Sequence, residues 1–401
     1  MKYALLSGYL FTSILWTLTA CSQKDVAVDP SATAEENLVL AKTGSDGLTA
    51  IDGSTGAIKW QISDAGQFAL DAKTLFVNVS KITPLQAFED TTSLYARQDT
   101  IKNLSVINAA TGRISLAVKS ELKPGYMVGC CGTLQSNELL KVSDGVAYMG
   151  LREVDFGITF RYRLFASEAK TGKLKWKSGI DIGSPATLHI SEDKLYVGSS
   201  NGSFILDSKT GQILREHPSA QMPVVTDNYY LLYTEESLTV LDKKTGLPKW
   251  TYPTGQYMVN PPSVANGMVF LADKNKKLLA VDLETGAKKW EYLIENSDRL
   301  SSSAQVMNGI LYVSNPNGRV YALDALTGTK KWQVWAGDGL YMAPGELIAK
   351  NNRLYVSVDY KKLLALDPLT GQKAWEVDFS KKDPSNLLTS FKVFGSSEID
   401  F

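Results

Sequence analysis

The sequence predicts an all-β fold, an eight-bladed β-propeller of four-stranded antiparallel blades whose ring is closed by the N- and C-terminal strands. A phrase of the form Ala-x-Asp-x-x-Thr-Gly-x-x-x-Trp, clearest from Ala322 to Trp332, recurs along the 401 residues. Its Thr-Gly step stands at Thr55-Gly56, Thr111-Gly112, Thr171-Gly172, Thr210-Gly211, Thr245-Gly246, Thr285-Gly286, Thr327-Gly328 and Thr370-Gly371. Two long intervals aside, the step recurs about every 40 to 45 residues, the size of a four-stranded propeller blade. Alternating runs of Val, Leu, Tyr and Ile fill each period, with turn pairs such as Asn308-Gly309 and Asn317-Gly318 between them, as strands joined by hairpins require.

Each phrase carries the chemistry of a hairpin. Three residues before the Thr stands Asp52, Asn108, Glu168, Asp207, Asp242, Asp282, Asp324 or Asp367. A side-chain oxygen there can accept backbone N–H groups further along the turn, and the Gly supplies a positive φ. Five residues after the Thr stands Trp60, Leu116, Trp176, Arg215, Trp250, Trp290, Trp332 or Trp375. A Trp offers a large flat apolar area and one N–H in need of a partner, so the six tryptophans are expected to wedge blade against blade. The joints at Leu116 and Arg215 are expected to be weaker.

A regular repeat divides into strands A to D, counted from the axis outward and exemplified by Ser303–Val306, Leu311–Val313, Val320–Leu323 and Lys330–Trp332. The first copy begins late, with residues 38–60 supplying only strands B to D. A C-terminal run, Ser390–Val393 or Glu398–Phe401, is expected to supply the missing A strand and leave no open edge. About twenty residues are inserted around Lys81–Asn103, the connection from Leu151 to Arg163 is long, and so is the D–A connection from Leu116 to Val146. All three fall at the end of the strands that carries the B–C and D–A connections.

The repeated phrase resembles that of the quinoprotein-type, pyrroloquinoline-quinone-like (PQQ-like) β-propellers, from about Leu38 to Phe401. That superfamily holds quinone-dependent dehydrogenases and also non-enzymatic lipoproteins of outer-membrane β-barrel assembly, and the fold alone does not choose between them.

The N-terminus adds a location. Met1 to Ala20 carries one Lys and then an apolar run, and Leu18-Thr19-Ala20-Cys21 has the form of a bacterial lipobox. Residues 1–20 read as a signal peptide and Cys21 as a lipidated N-terminus. Residues 21–37 read as a flexible tether and 38–401 as the propeller. Ser22 after the Cys implies, by enteric-type sorting, the outer membrane, with the propeller in the periplasm.

Lys+Arg and Asp+Glu are both 42, so there is no charge footprint for nucleic acid, and the lipid anchor is the expected membrane contact. Gly198-Ser199-Ser200-Asn201-Gly202 matches the Gly-x-Ser-x-Gly pattern but falls at a B–C hairpin rather than a strand-to-helix elbow. Two histidines, His189 and His217, give no His-based metal cluster or triad. A Tyr-Met pair precedes strand A three times, at Tyr126-Met127, Tyr257-Met258 (followed by Asn260) and Tyr341-Met342. Around the channel mouth these would form an adaptable contact surface. Cys130 and Cys131 lie in the first of these connections. With Cys21 acylated they can pair within the chain only with each other, as a strained vicinal ring, since adjacent Cα atoms stand about 3.8 Å apart against a usual disulfide range of about 4.4 to 6.8 Å. The pair resembles the vicinal disulfide of quinoprotein methanol dehydrogenases.

The expectation is a non-catalytic, monomeric envelope lipoprotein that scaffolds protein partners and holds no cofactor or metal. One alternative is a PQQ-dependent oxidoreductase using PQQ with calcium; the other is a propeller that binds a polysaccharide or peptidoglycan-type ligand.

Overall fold

The repeated turn is built the same way in nearly every copy. In the seventh, Asp324 Oδ1 accepts the N–H groups of Leu326 at 3.1 Å and Thr327 at 3.0 Å. The Asp324 N–H donates to Thr329 O and the Gly328 N–H to Asp324 O, each at 2.8 Å, and Gly328 has φ +73°. Asp52, Asp207, Asp242, Asp282 and Asp367 accept from the second and third residues after them in the same manner. At Glu168 the longer carboxylate accepts the Thr171 hydroxyl instead. The computed structural model describes residues 37–394 except 45–46, 64, 72–73, 83–99, 109–113, 120–138, 155–159, 180, 219–220, 235, 255–260, 273–276, 295–302, 337–343 and 382–386.

Eight four-stranded antiparallel sheets result. Seven are blades of four consecutive strands, spanning residues 65–119, 139–177, 185–217, 221–253, 263–293, 305–335 and 344–378; they are numbered here one to seven. The remaining sheet joins Ile58–Ile62, Gly47–Asp52 and Leu38–Thr43 to Leu388–Phe394. The expectation of eight blades, one per copy of the phrase, is corrected accordingly. The copy at Thr55-Gly56 has no A strand of its own, so it forms no contiguous blade and lies in a closing sheet shared by the two ends. The register of that closure runs from Leu38↔Phe394 to Thr43↔Leu388. The expected Ser390–Val393 is therefore the core of the missing strand, and Glu398–Phe401 lies outside the described residues.

A strands touch between blades one and two, two and three, three and four, and six and seven, and between blade seven and the closing sheet, which puts those strands at the axis and the D strands at the perimeter. The A–B turns are tight hairpins with two successive positive-φ residues, as at Asn266-Gly267 and Asn308-Gly309, the twist that suits strand pairing. The long B–C insertion is partly strand. Pairing continues through Lys81↔Ile101 and Ile82↔Thr100 in blade one, and through Val154↔Phe160 in blade two.

The core lies between sheets. In blade six, Tyr312 pairs with Ala322 and Ala322 with Trp332 across strands B, C and D. The small Ala lets the flanking rings lean together, with centroids 5.9 Å apart. Tyr148–Ala166–Trp176, Phe270–Ala280–Trp290 and Tyr355–Ala365–Trp375 repeat the row. This is the physical reason for the Ala that opens the phrase. In blade three, where Arg215 stands in the Trp place, the middle residue is Ile205.

Candidate functional site

Five of the six repeat tryptophans reach out of their own sheets to the next turn along the ring. The indole N–H donates to the carbonyl just after the turn Asp of the following sheet: Trp176 to Ser208 at 2.9 Å, Trp250 to Leu283 at 2.9 Å, Trp290 to Ala325 at 3.1 Å, Trp332 to Pro368 at 3.0 Å and Trp375 to Gly53 at 2.9 Å. The last of these joins blade seven to the closing sheet. Trp60 continues the series by packing on the cluster of Ala65, Phe68, Leu75 and Val77 in blade one. The ring lies over the turn Gly, so a Cβ built at Gly328 would stand 2.7 Å from Trp290 Cδ2. Glycine is thus required twice, for its torsion and for the approach of the indole. The Lys before the Trp reaches back to its own turn, as Lys59 does to Asp52, Lys289 to Asp282 and Lys331 to Asp324.

The joint between blades three and four is polar. Arg215 Nη1 donates to Tyr230 Oη and to Gly246 O, both at 2.9 Å. His217 Nε2 lies 3.4 Å from the same hydroxyl, with ring centroids 5.9 Å apart. Burial, then the Arg215 charge, lowers the His217 pKa. Beside it, Lys243 is buried with its ammonium on Ser191 Oγ at 2.8 Å and Thr226 O at 3.3 Å, and Glu192 lies 3.5 Å away. At Arg215 the joint, expected to be weaker than a Trp joint, replaces one indole hydrogen bond and its ring packing with two guanidinium hydrogen bonds. Leu116 falls among side chains outside the described set. The sequence hid the cluster, since its members lie on two strands and a turn and none is unusual alone.

At the axis, Glu346 Oε2 on strand A of blade seven accepts the Phe391 N–H of the closing sheet at 3.1 Å. Solvent reaches this side chain, while the protein around the channel desolvates it and holds its carboxyl above the usual carboxylate range. The phenols of Tyr196, Tyr312 and Tyr355 are pushed up to about 12 by burial, so they remain donors at all working pH values. Among the described residues no group of three or more His, Cys, Asp or Glu side chains is placed to hold a metal ion.

The end that carries the B–C and D–A connections leaves aromatic groups in water. Trp335 ends strand D of blade six and is 53% exposed; Tyr360, 56% exposed, sits in the B–C turn of blade seven at φ +55°. The Arg319 guanidinium stacks on Trp335 at 4.6 Å. Between blades six and seven runs a groove of about 300 Å³ lined by Val334, Trp335, Lys362, Leu364, Lys373 and Glu376 among others. The sequence-based site residues Cys21, Tyr126, Met127, Cys130, Cys131, Tyr257, Met258, Asn260, Tyr341 and Met342 lie outside the described residues. Trp335 and Tyr360 were not among them. Trp335 breaks the repeat pattern by following Trp332 at a spacing no other blade shows, which was the available signal.

Residues 214–334 and 297–392 match a protein-family model described as outer membrane protein assembly factor BamB. The chain is 28% identical over 215 residues to the outer membrane protein assembly factor BamB of Moranella endobia, covering 46% of this chain and 52% of that relative. It is 21% identical over 161 residues to the polyvinylalcohol dehydrogenase of a Sphingopyxis species, covering 38% of this chain and 22% of that protein. The alignments thus span about half the length of the first relative and less than a quarter of the second. Among solved structures, BamB from Moraxella catarrhalis is similar with a TM-score of 0.51 at 18% identity, covering 75% of this chain and 91% of that one, a likeness of fold.

Proposed function

Because the chain is a BamB-like propeller of PQQ-type repeats, we propose that it is a non-catalytic envelope lipoprotein that scaffolds protein partners in outer-membrane protein assembly. On this reading Cys21 is acylated, the propeller is monomeric and faces the periplasm from the outer membrane, and the partner meets the end carrying the B–C and D–A connections. The observation that carries the reading is the pair of water-exposed aromatics at that end, Trp335 under its Arg319 stack and Tyr360 held out by a positive-φ turn. Large aromatic and Arg side chains of this kind commonly carry much of the energy of protein interfaces. On this reading the Tyr-Met pairs at 126–127, 257–258 and 341–342, which precede strand A in the repeated sequence, would belong to the same contact surface.

Crosslinking in intact envelopes, followed by mass spectrometry, tests this. Crosslinked peptides should come from the Trp335 and Tyr360 end and from components of outer-membrane protein assembly. Trp335→Ala combined with Tyr360→Ala should cut partner recovery severalfold with no loss of thermal stability. Unchanged recovery would remove the partner from this end. The similarity to a dehydrogenase keeps a quinone-dependent oxidoreductase as the second reading, and a quinone absorption band in the purified protein would select it.

A further inference from the structure

The opposite end of the strands has a different surface. Six of the ten large hydrophobic side chains exposed among the described residues stand at C–D turns or the first residues after them: Ile58, Leu174, Leu214, Leu247, Leu326 and Leu369, from the closing sheet and blades two, three, four, six and seven. Leu326 and Leu369 occupy the same place, two residues after the turn Asp, and are 73% and 68% exposed. In blades two, three and four that tip position is Lys170, Lys209 or Lys244, all exposed, Lys209 pairing with Asp193 at 2.6 Å; in blade five it is Glu284, which pairs with Lys249. Lysine tips gathered on one side of the rim and aliphatic tips on the other match an interface between water and anionic lipid headgroups, where Leu enters the acyl boundary and Lys stays at the phosphates.

The chain enters the propeller at this same end. The Asn37 carbonyl accepts the N–H of Gly53 at 2.7 Å, and its amide donates to Ser54 Oγ at 2.8 Å, both in the C–D turn of the closing sheet. Asn351 Nδ2, in the A–B turn of blade seven, reaches Asn37 Oδ1 at 3.4 Å. From Cys21 to Asn37 is sixteen residues (37 − 21 = 16), at most about 55 Å of chain. Blade strands of five to seven residues make the propeller about 20 Å deep. A tether fixed at this end brings the leucine tips to the bilayer with slack, whereas presenting the aromatic end would route the tether around the side of the ring.

We infer that the C–D-turn end, through Leu247, Leu326 and Leu369 and the neighbouring lysine tips, rests on the surface of the membrane to which the chain is tethered, and so points the aromatic end into the periplasm. This rests on the lipid-anchor reading, and the test separates the two. The full-length protein, purified from membranes, is reconstituted in vesicles of phosphatidylethanolamine and phosphatidylglycerol containing a photoactivatable phospholipid. The mass of the N-terminal peptide reports acylation of Cys21, and the crosslinked peptides report the face. Crosslinks should concentrate in the turns holding Leu247, Leu326 and Leu369, and should fall severalfold there with Leu326→Glu and Leu369→Glu, both exposed and tolerable to the fold. Tyr360→Glu should leave them unchanged. Crosslinks at Trp335 and Tyr360, even coverage of both ends, or chain-to-chain products in place of lipid adducts would each overturn the inference even with Cys21 acylated. An unmodified Cys21 with adducts at the leucine turns would refute the anchor and uphold the face.

Discussion

Gly328 and Gly309 have nearly the same torsion, φ +73° and +76°, but different surroundings. A Cβ at Gly328 would meet Trp290 at 2.7 Å, whereas at Gly309 nothing lies within 4 Å. Alanine at either site pays the left-handed penalty of about 1 to 3 kcal/mol. Gly328→Ala must also displace the indole that bonds to Ala325 O. Gly328→Ala should therefore lower the denaturant midpoint well beyond Gly309→Ala, the difference measuring the blade joint alone; equal midpoints would mean the indole yields freely. The turn aspartates make a second residue-scale prediction. Asp282 is lowered to about 2, first by the Lys289 ammonium and then by Thr285; the Thr245 N–H lowers Asp242 and the Lys331 ammonium lowers Asp324. With folded values below the unfolded value of about 3.9, the unfolded state binds more protons as pH falls. The Asp282 contribution is complete above about pH 4 and is lost as pH drops through about 2, and those of Asp242 and Asp324 are lost in the same direction as pH falls through their lowered values. Thermal melts from pH 5 to 2 should show this loss, with a shallower slope for Asp282→Asn.

At the scale of the element, the joint between blades three and four exchanges an indole for a charged network. Arg215→Ala would leave the Tyr230 hydroxyl and Gly246 O without this donor, a cost of about 1 to 3 kcal/mol, below the ~3 to 5 kcal/mol for truncating a large buried aromatic. The same joint should respond to mild acid. The His217 pKa is depressed by burial and by Arg215, so below the unfolded value of about 6.5 the unfolded chain takes up the proton first and stability declines with pH. Urea midpoints at pH 7.5 and 5.5 should differ in the wild type. His217→Phe, which keeps the ring beside Tyr230, should remove that difference; an unaltered pH response would assign it to other groups. The D strands carry a further device. Lys59, Lys289 and Lys331 put charge on the perimeter strand, which discourages edge-to-edge pairing between molecules.

For the whole molecule, the repeat was legible because one local chemistry, Asp carboxylate to turn N–H groups with a glycine beyond, is written out in nearly every period. The Tyr–Ala–Trp rows follow from the same spacing. What the sequence did not reveal is what long-range geometry assembles: Arg215 with Tyr230 and His217, the encircled Glu346, and the gathering of exposed leucines at one end. The blade count misled because the first copy looks like the others from Asp52 onward and differs only in the strand it lacks. That missing strand concentrates the molecule's dependence on its ends. Phe391 is fully buried in a cluster with Val39, Ile51, Tyr355 and Trp375, so it joins the N-terminal strands to blade seven through a residue ten positions from the C-terminus. Asn37 adds polar contacts to the same closure, with Tyr355 Oη donating to its side chain at 3.1 Å. Truncating a large buried aromatic costs about 3 to 5 kcal/mol, and here the loss falls where Leu38–Thr43 would become an open edge. Phe391→Ala should therefore destabilise markedly and also raise the oligomer fraction in size-exclusion chromatography, because an unpaired strand templates association. Phe270→Ala, equally buried but within a contiguous blade, should lower stability without that fraction. Oligomers formed equally by both variants would show that core loss, and not an opened ring, drives association.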